Sequence, residues 1–116
     1  MEIISNLNKI EFISTLNKTR VESSRLLPIN NSFIRFDILN LVMLHELEGN
    51  ELSFKKLYSS VNHSDIGLRN HLMKLKDGGW ISINESKKDA RSKIISATDK
   101  LHKTYERLGE ALRKNG

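Results

Sequence analysis

The segment from residue 64 to 78 presents two chemically different faces when it is wound as an α-helix. At about 100° per residue, Leu68, Leu72 and Leu75 fall on one side and can enter a hydrophobic core. The opposite arc and its flank carry Ile66, Gly67, Arg69, Asn70 and Lys74. Arginine and asparagine pair with guanine and adenine in the DNA major groove, and isoleucine can contact a thymine methyl. Gly67 would permit a close approach and Lys74 would reach phosphate, so this segment is a candidate recognition helix.

Further cations lie before and after this segment. The polar stretch between residues 85 and 93 places four positive side chains within seven residues: Lys87, Lys88, Arg91 and Lys93. An arginine in such a loop can enter a minor groove, and lysines can contact phosphates. Lys55 and Lys56 on the preceding helical segment, and Ser64 at the start of the candidate recognition helix, complete the set of expected DNA contacts. The alternative is an ordinary solvated surface rich in lysine.

Catalytic and metal chemistry find little support in the residues. The sequence contains no cysteine, which excludes disulfides, thiolate zinc sites and thiol-based sensing. His45-Glu46 lacks a second histidine four positions after His45, so it is not a zinc-protease motif. We therefore expect no enzyme activity, no catalytic residue, no bound metal and no cofactor.

The elements that must position these residues can be read from hydrophobic periodicity and capping signals. Helices are predicted over residues 6–25 and from about 33 to 48, separated by Pro28 and ended by Gly49. Ser53 and Ser64 are positioned to cap two shorter helices, and Gly79 to terminate the second. Two stretches of alternating residues, 80–84 and 93–97, predict a hairpin with a basic loop, and a last helix follows Thr98.

The charge of the chain is divided unevenly between its two halves. The formal net charge is +5, but residues 1–52 carry 5 basic and 7 acidic side chains, whereas residues 53–116 carry 14 and 7. The second half therefore has a net charge of +7, which favours a polyanionic partner, with nucleic acid ahead of a membrane surface.

The run from Leu52 to Ile81 resembles the core of MarR-type transcriptional regulators, especially their short stand-alone winged-helix relatives. The matching recognition-helix positions are Asp65, Leu68, His71, Leu72, Leu75 and Gly79, and the wing adds Asp89, Arg91 and Thr98. Leu101 departs from the pattern, because family members often carry glycine three positions after that threonine. The resemblance implies a mainly α fold with a small β-hairpin wing (α+β), a winged helix-turn-helix. It also implies that Asp89 holds the guanidinium of Arg91.

The terminal helices are the candidate association surfaces. The last helix spaces its apolar residues by four, three and four positions, which is typical of a coiled-coil seam, and the first helix carries a second stripe. The expected dimerisation residues are Leu7, Ile10, Leu16, Leu101, Tyr105, Leu108 and Leu112. The alternative is that the C-terminal helix packs on its own domain.

Together these features predict one winged-helix domain spanning residues 1–116. Residues 1–27 and 98–116 are assigned to dimerisation and 32–97 to the helix-turn-helix core. No apolar run approaches the roughly 20 residues of a membrane span and no signal peptide is evident, so a cytoplasmic location is expected. The predicted function is a homodimeric, sequence-specific double-stranded DNA-binding regulator, acting as a repressor. The alternative is a winged-helix protein-interaction module; no residue pattern identifies a small-molecule effector.

Overall fold

The computed structural model describes residues 6–30 and 32–114 of the 116-residue chain, with side chains described from 8 to 30 and from 32 to 113. Within these ranges the chain forms five helices and three short strands. In order they are α1 (Asn6–Leu26), α2 (Phe33–Glu48), β1 (Leu52–Ser53), α3 (Phe54–Ser60), α4 (Asp65–Asp77), β2 (Ile81–Glu85), β3 (Lys93–Ala97) and α5 (Asp99–Lys114).

Serine and glycine residues set the ends of the central helices, as predicted for Ser53, Ser64, Gly49 and Gly79. The hydroxyl oxygens of Ser32, Ser53 and Ser64 each accept the backbone N–H three residues on, at 3.4, 3.1 and 3.1 Å. Gly49 (φ +75°) and Gly79 (φ +78°) adopt the left-handed conformation just past α2 and α4, where residues with a Cβ are strained. These local signals confirm the predicted helix boundaries to within about two residues.

The sheet contains one strand more than the sequence predicted. β2 and β3 form the expected antiparallel hairpin, in which Ile83 lies opposite Ile95. Leu52 also pairs with Ile95, because β1 lies on the other edge of β3 and gives the strand order β1-β3-β2. A strand of two residues is too short to show an alternating pattern, and for this reason the sequence predicted only two strands.

A single hydrophobic core joins the helices to the sheet. It is formed by α2, β1, α3, α4, β2, β3 and α5, and by the linker that follows α1. Its buried members include Leu27, Ile29, Ile38, Leu39, Val42, Leu52, Leu57, Leu68, Leu72, Leu75, Ile81, Ile95 and Leu101. The three leucines predicted for the inner face of α4 are all in this core.

The apolar seam of α5 packs inside its own chain, as the alternative to dimerisation expected, while the assignment of this helix to dimerisation stays a prediction. Leu101 is 0% exposed and Leu108 is also buried, while Tyr105 and Leu112 pack against the same core. The Tyr105 hydroxyl donates a hydrogen bond to Asn40 Oδ1 at 2.5 Å, which ties α5 to α2. Apolar residues spaced by four, three and four positions can pack on another subunit or on elements of the same chain, and in α5 they pack on the core of the same chain.

The first helix behaves differently from the last. Ile10 and Leu16 remain 61% and 53% exposed, and Phe12, Ile13 and Val21 are exposed as well. The side chain of Leu7, the third α1 residue assigned to dimerisation, lies outside the described residues. No described helix, α1 included, has both the length and the apolar character needed to cross a membrane.

Candidate nucleic-acid interface

The outer face of α4 is exposed to solvent because the inner face of the helix is buried in the core. Because Leu68, Leu72 and Leu75 anchor one side in the core, the opposite side points away from the protein. Ile66 is 77% exposed there, although an isolated apolar side chain gains nothing from contact with water. Arg69, Asn70 and Lys74 are exposed as predicted. The structure thus places the four side chains expected to read bases or contact phosphate on the accessible surface of one helix.

The start of α4 is shaped by Ser64 and Gly67. Ser64 Oγ accepts the Gly67 N–H at 3.1 Å, which leaves the hydroxyl hydrogen able to donate to an acceptor such as a phosphate. A Cβ at position 67 would lie 3.0 Å from that oxygen, closer than ordinary van der Waals contact. The Ser64 cap therefore favours glycine at position 67 on steric grounds, in addition to the close approach to DNA that the sequence suggested.

A side chain of α2 is hydrogen-bonded to α4, and sequence reasoning missed this contact. Arg35 Nε donates to Nδ1 of His71 at 3.0 Å, and its Nη1 donates to the Pro28 carbonyl at 3.2 Å. The pKa of His71 is lowered, chiefly by burial and then by the positive charges of Arg35 and Lys74 and by His63. Because the two partners lie 36 residues apart, no local pattern could have paired them.

The lysines of α3 are accessible as well. α3 begins at the Ser53 cap and packs through Leu57, which is fully buried. Lys55 and Lys56 are both exposed on this short helix, which precedes α4 in the helix-turn-helix. They occupy the part of the motif from which side chains contact the DNA backbone in related architectures.

The loop between β2 and β3, residues 86–92, forms the wing. The Arg91 side chain is 93% exposed, and its Nε lies 3.4 Å from Asp89 Oδ1, which is the pairing that the family resemblance implied. Asp89 Oδ1 also accepts the Arg91 backbone N–H at 3.0 Å. Lys87 and Lys88 are exposed, whereas Lys93 lies at the start of β3 with its Nζ 3.9 Å from Glu85 Oε1. Lys93, which directly follows the wing, thus has a charge partner on the opposite strand of the hairpin.

The base of the wing is fastened to β1 through a side chain that the sequence did not single out. Ser86 Oγ donates to Glu51 Oε1 at 2.8 Å, and the Lys87 backbone N–H donates to Glu51 Oε2 at 3.3 Å. Glu51 immediately precedes β1. The sequence did not predict this strand, and for that reason it did not predict the contact between Glu51 and the wing. Only the pairing of β1 with β3 brings residue 51 next to the wing.

The turn after α4 is held by the start of α5. Thr98 Oγ1 donates to the carbonyl of Gly79 at 2.7 Å and accepts the N–H of Leu101 at 3.3 Å, so it caps α5. Lys100 Nζ donates to the Gly78 carbonyl at 2.9 Å and lies 4.2 Å from the centroid of the Trp80 ring. These contacts hold the turn between α4 and β2, and therefore the placement of the wing relative to α4.

Metal ligation and a cavity are the two other features of the described residues that bear on function. No group of three or more His, Asp or Glu side chains is arranged there to hold a metal ion. A cavity of about 480 Å³ lies between α1 and α2, lined mainly by apolar groups together with Arg20 and Ser23. Residues of α1, of the linker that follows it and of α2 line this cavity. None of the residues predicted to contact DNA lines it.

Several solved structures share this fold over nearly the whole chain. The transcriptional regulator Tm0710 from Thermotoga maritima superposes with a TM-score of 0.71 at 18% identity, covering 93% of this chain and 70% of that chain. MepR from S. aureus in complex with DNA gives a TM-score of 0.69 at 15% identity, with 95% and 85% covered. A mutant MepR from a multidrug-resistant S. aureus clinical isolate gives 0.72 at 16%, with 98% and 79% covered.

Sequence comparison adds nothing to the structural likeness. No protein-family profile matches this sequence, and no curated protein matches it. At identities below 20%, the likeness to solved structures establishes the fold, which is the winged helix predicted from the sequence.

Proposed function

We propose that this chain is a sequence-specific, double-stranded DNA-binding transcriptional regulator that acts as a homodimer. The observation that carries the proposal is the joint exposure of polar and basic side chains on α4 and on the wing, the two elements with which winged-helix proteins meet DNA. The fold neighbours support it, since one is a transcriptional regulator by name and another is a complex with DNA.

The recognition helix supplies the chemistry for reading sequence. Placed in a major groove, Arg69 can pair with guanine and Asn70 with adenine, while Ile66 can pack against a thymine methyl. Phosphate contacts from Lys55, Lys56 and Lys74 would set the register of the helix without reading bases.

The wing supplies a second contact. Arg91, held by Asp89 and otherwise exposed, is suited to a narrow minor groove, whose negative potential attracts guanidinium groups. Lys87 and Lys88 would reach the neighbouring phosphates, while Lys93 is partly neutralised by Glu85 and contributes less.

The exposed apolar side chains of α1 support association of two copies. Ile10 and Leu16 lie on the surface of a chain whose radius of gyration, 16.2 Å, exceeds the roughly 13 Å expected for a compact domain of about 100 residues. A second copy would bury these side chains. A two-fold dimer would bind a pseudo-palindromic operator with half-sites about 34–36 Å apart. A dimer bound over a promoter would act as a repressor, and the same role implies a cytoplasmic location.

The test is selection of bound fragments from a random-sequence DNA pool, followed by gel-shift titration on the selected site. With about 6–10 phosphate contacts per dimer, affinity should fall roughly 10³–10⁵-fold between 50 and 200 mM salt. Arg69→Ala should weaken binding about tenfold or more and relax preference at one base pair, and Arg91→Ala should also weaken it. Lys103→Ala, an exposed α5 charge outside the predicted interface, is the matched control.

Three results would contradict the proposal. They are salt-insensitive binding, equal affinities for the two arginine variants and the parent, and recovery of a stable protein partner with no DNA retained. The last would favour the protein-interaction module instead. The repressor assignment is tested separately by a reporter placed downstream of the selected site, where higher expression in the presence of the protein would refute it.

A further inference from the structure

Glu51 occupies an unexpected position for an acidic residue beside a basic loop. Its two carboxylate oxygens accept hydrogen bonds from Ser86 Oγ at 2.8 Å and from the Lys87 backbone N–H at 3.3 Å. The next residue, Leu52, is fully buried and pairs with Ile95 on β3. The carboxylate is therefore anchored to the rigid sheet on one side and to the first residues of the wing on the other.

Ser86 extends this attachment further into the wing. Its Oγ accepts the backbone N–H groups of Lys88 at 3.1 Å and Asp89 at 3.3 Å, while its own N–H donates to the Ser92 carbonyl at 2.9 Å. Three consecutive backbone N–H groups, at 87, 88 and 89, are thus bound to the Glu51 carboxylate directly or through one hydroxyl. These hydrogen bonds hold the backbone where the loop leaves β2, at the two residues that carry the Lys87 and Lys88 side chains.

We propose that Glu51 is a positioning residue for the wing, which acts through Ser86 to hold Lys87, Lys88 and Arg91 in the orientation that meets DNA. The inference rests on the proposed DNA-binding function and deepens it. The wing cations are long and exposed, and a fixed loop backbone reduces the conformational entropy lost when they bind phosphate.

The charge of Glu51 allows a direct test. When the carboxylate is removed, a positioning role and simple electrostatics predict changes in DNA affinity of opposite sign. A carboxylate near the interface repels phosphates, so electrostatics alone predicts that its removal tightens DNA binding. Positioning predicts that the same removal weakens binding, because the wing cations lose their fixed placement. Glu48→Ala is the matched control, since it removes the same charge from an exposed position three residues earlier.

The experiment measures affinity for the selected DNA site as a function of salt for the parent, Glu51→Ala and Glu48→Ala. We expect Glu51→Ala to weaken binding about three- to tenfold and to lower the slope of log affinity against log salt by about one or two, as for one or two lost phosphate contacts. Glu48→Ala should bind as the parent does or slightly more tightly. Circular dichroism and a thermal melt confirm that each variant is folded.

Two further variants separate positioning from a general structural effect. Glu51→Gln keeps an amide oxygen to accept from Ser86 and should recover most of the lost affinity. Ser86→Ala should weaken binding to a similar extent, and the double variant Glu51→Ala/Ser86→Ala should be no weaker than either single one, because both act through one network.

The outcomes distinguish this inference from the proposed function. If the parent chain binds no selected DNA, the proposed function is overturned and the inference with it. If the parent binds and Glu51→Ala binds equally or more tightly, only the positioning role is overturned. Amide hydrogen exchange provides a readout without DNA: the amides of Lys87, Lys88 and Asp89 should exchange faster in Glu51→Ala than in Glu48→Ala, and equal rates would refute the role.

Discussion

Arg35 on α2 and His71 on α4 are joined by a hydrogen bond of 3.0 Å between Nε and Nδ1, although 36 residues separate them in the sequence. The same guanidinium donates to the Pro28 carbonyl at 3.2 Å. One side chain thus connects the linker after α1, the first helix of the core and the candidate recognition helix. The candidate recognition helix is thus linked through one guanidinium to the segment that follows α1.

Replacing Arg35 tests this connection. Arg35→Met keeps most of the aliphatic length and removes the donors, so His71 Nδ1 and the Pro28 carbonyl each lose a partner. We expect the free energy of unfolding to fall by about 1–2 kcal/mol in urea titrations and DNA affinity to fall several-fold. Arg107→Met, at an exposed α5 position, is the control. An unaltered affinity for Arg35→Met would show that the contact does not orient α4.

The protonation of His71 should make stability depend on pH. Burial and the nearby Arg35 lower the pKa of His71 below its usual 6.5 in the folded chain, so the unfolded chain binds the proton more readily. The stabilisation is therefore fully present above pH 6.5 and is lost as pH falls below it. The measurement is the difference in unfolding free energy between the parent and His71→Gln from pH 8 to 5. A difference that stays constant over this range would contradict the assignment.

A substitution at Ile66 should lower DNA affinity with little effect on the stability of the fold. Because its side chain is 77% exposed, Ile66→Ser should change the free energy of unfolding by less than about 0.5 kcal/mol. In the proposed complex the same change removes an apolar contact with a base, so affinity for the selected site should fall about three- to tenfold. Denaturant unfolding and gel shifts measure the two effects. A loss of stability without a loss of affinity would place Ile66 outside the interface.

The two terminal helices should respond in opposite ways to loss of an apolar side chain. Leu101→Ala on α5 creates a cavity in the core and should cost about 2–5 kcal/mol of stability. Ile10→Ser on α1 leaves the core intact and should instead shift the protein from dimer to monomer in sedimentation velocity. Stability is compared at matched low concentration, because dimerisation itself stabilises the folded chain. A dimer unaffected by Ile10→Ser would argue against this face of α1.

Ionisation of Tyr105 should lower the free energy of unfolding at alkaline pH. Burial raises the pKa of its hydroxyl well above the usual value of about 10. The unfolded chain therefore releases this proton first, and the stabilisation present below pH 10 is lost as pH rises above it. Tyr105→Phe also leaves Asn40 Oδ1 without its donor and should cost about 1–2 kcal/mol at pH 8. That cost should shrink above pH 10, and a cost that stays the same from pH 8 to pH 11 in urea titrations would contradict the assignment.

The sequence alone determined the features that depend on neighbours within a few positions. The caps at Ser53 and Ser64 and the left-handed Gly79 follow from local hydrogen bonding and backbone freedom, so the helix boundaries were predictable. The exposed face of α4 was predictable from periodicity, since burial of Leu68 and its partners leaves Arg69 and Asn70 outside. The Asp89–Arg91 pairing was anticipated only through the family resemblance.

Only the tertiary structure decided what depends on pairing across the chain. Whether the apolar seam of α5 would cover its own core or another subunit was open, because the same spacing serves both, and α5 packs inward with Leu101 at its centre. The contacts Arg35–His71 and Glu51–Ser86 join residues 36 and 35 positions apart. Such contacts are selected by the folded core as a whole, since burial decides which elements meet and no local pattern records the partner.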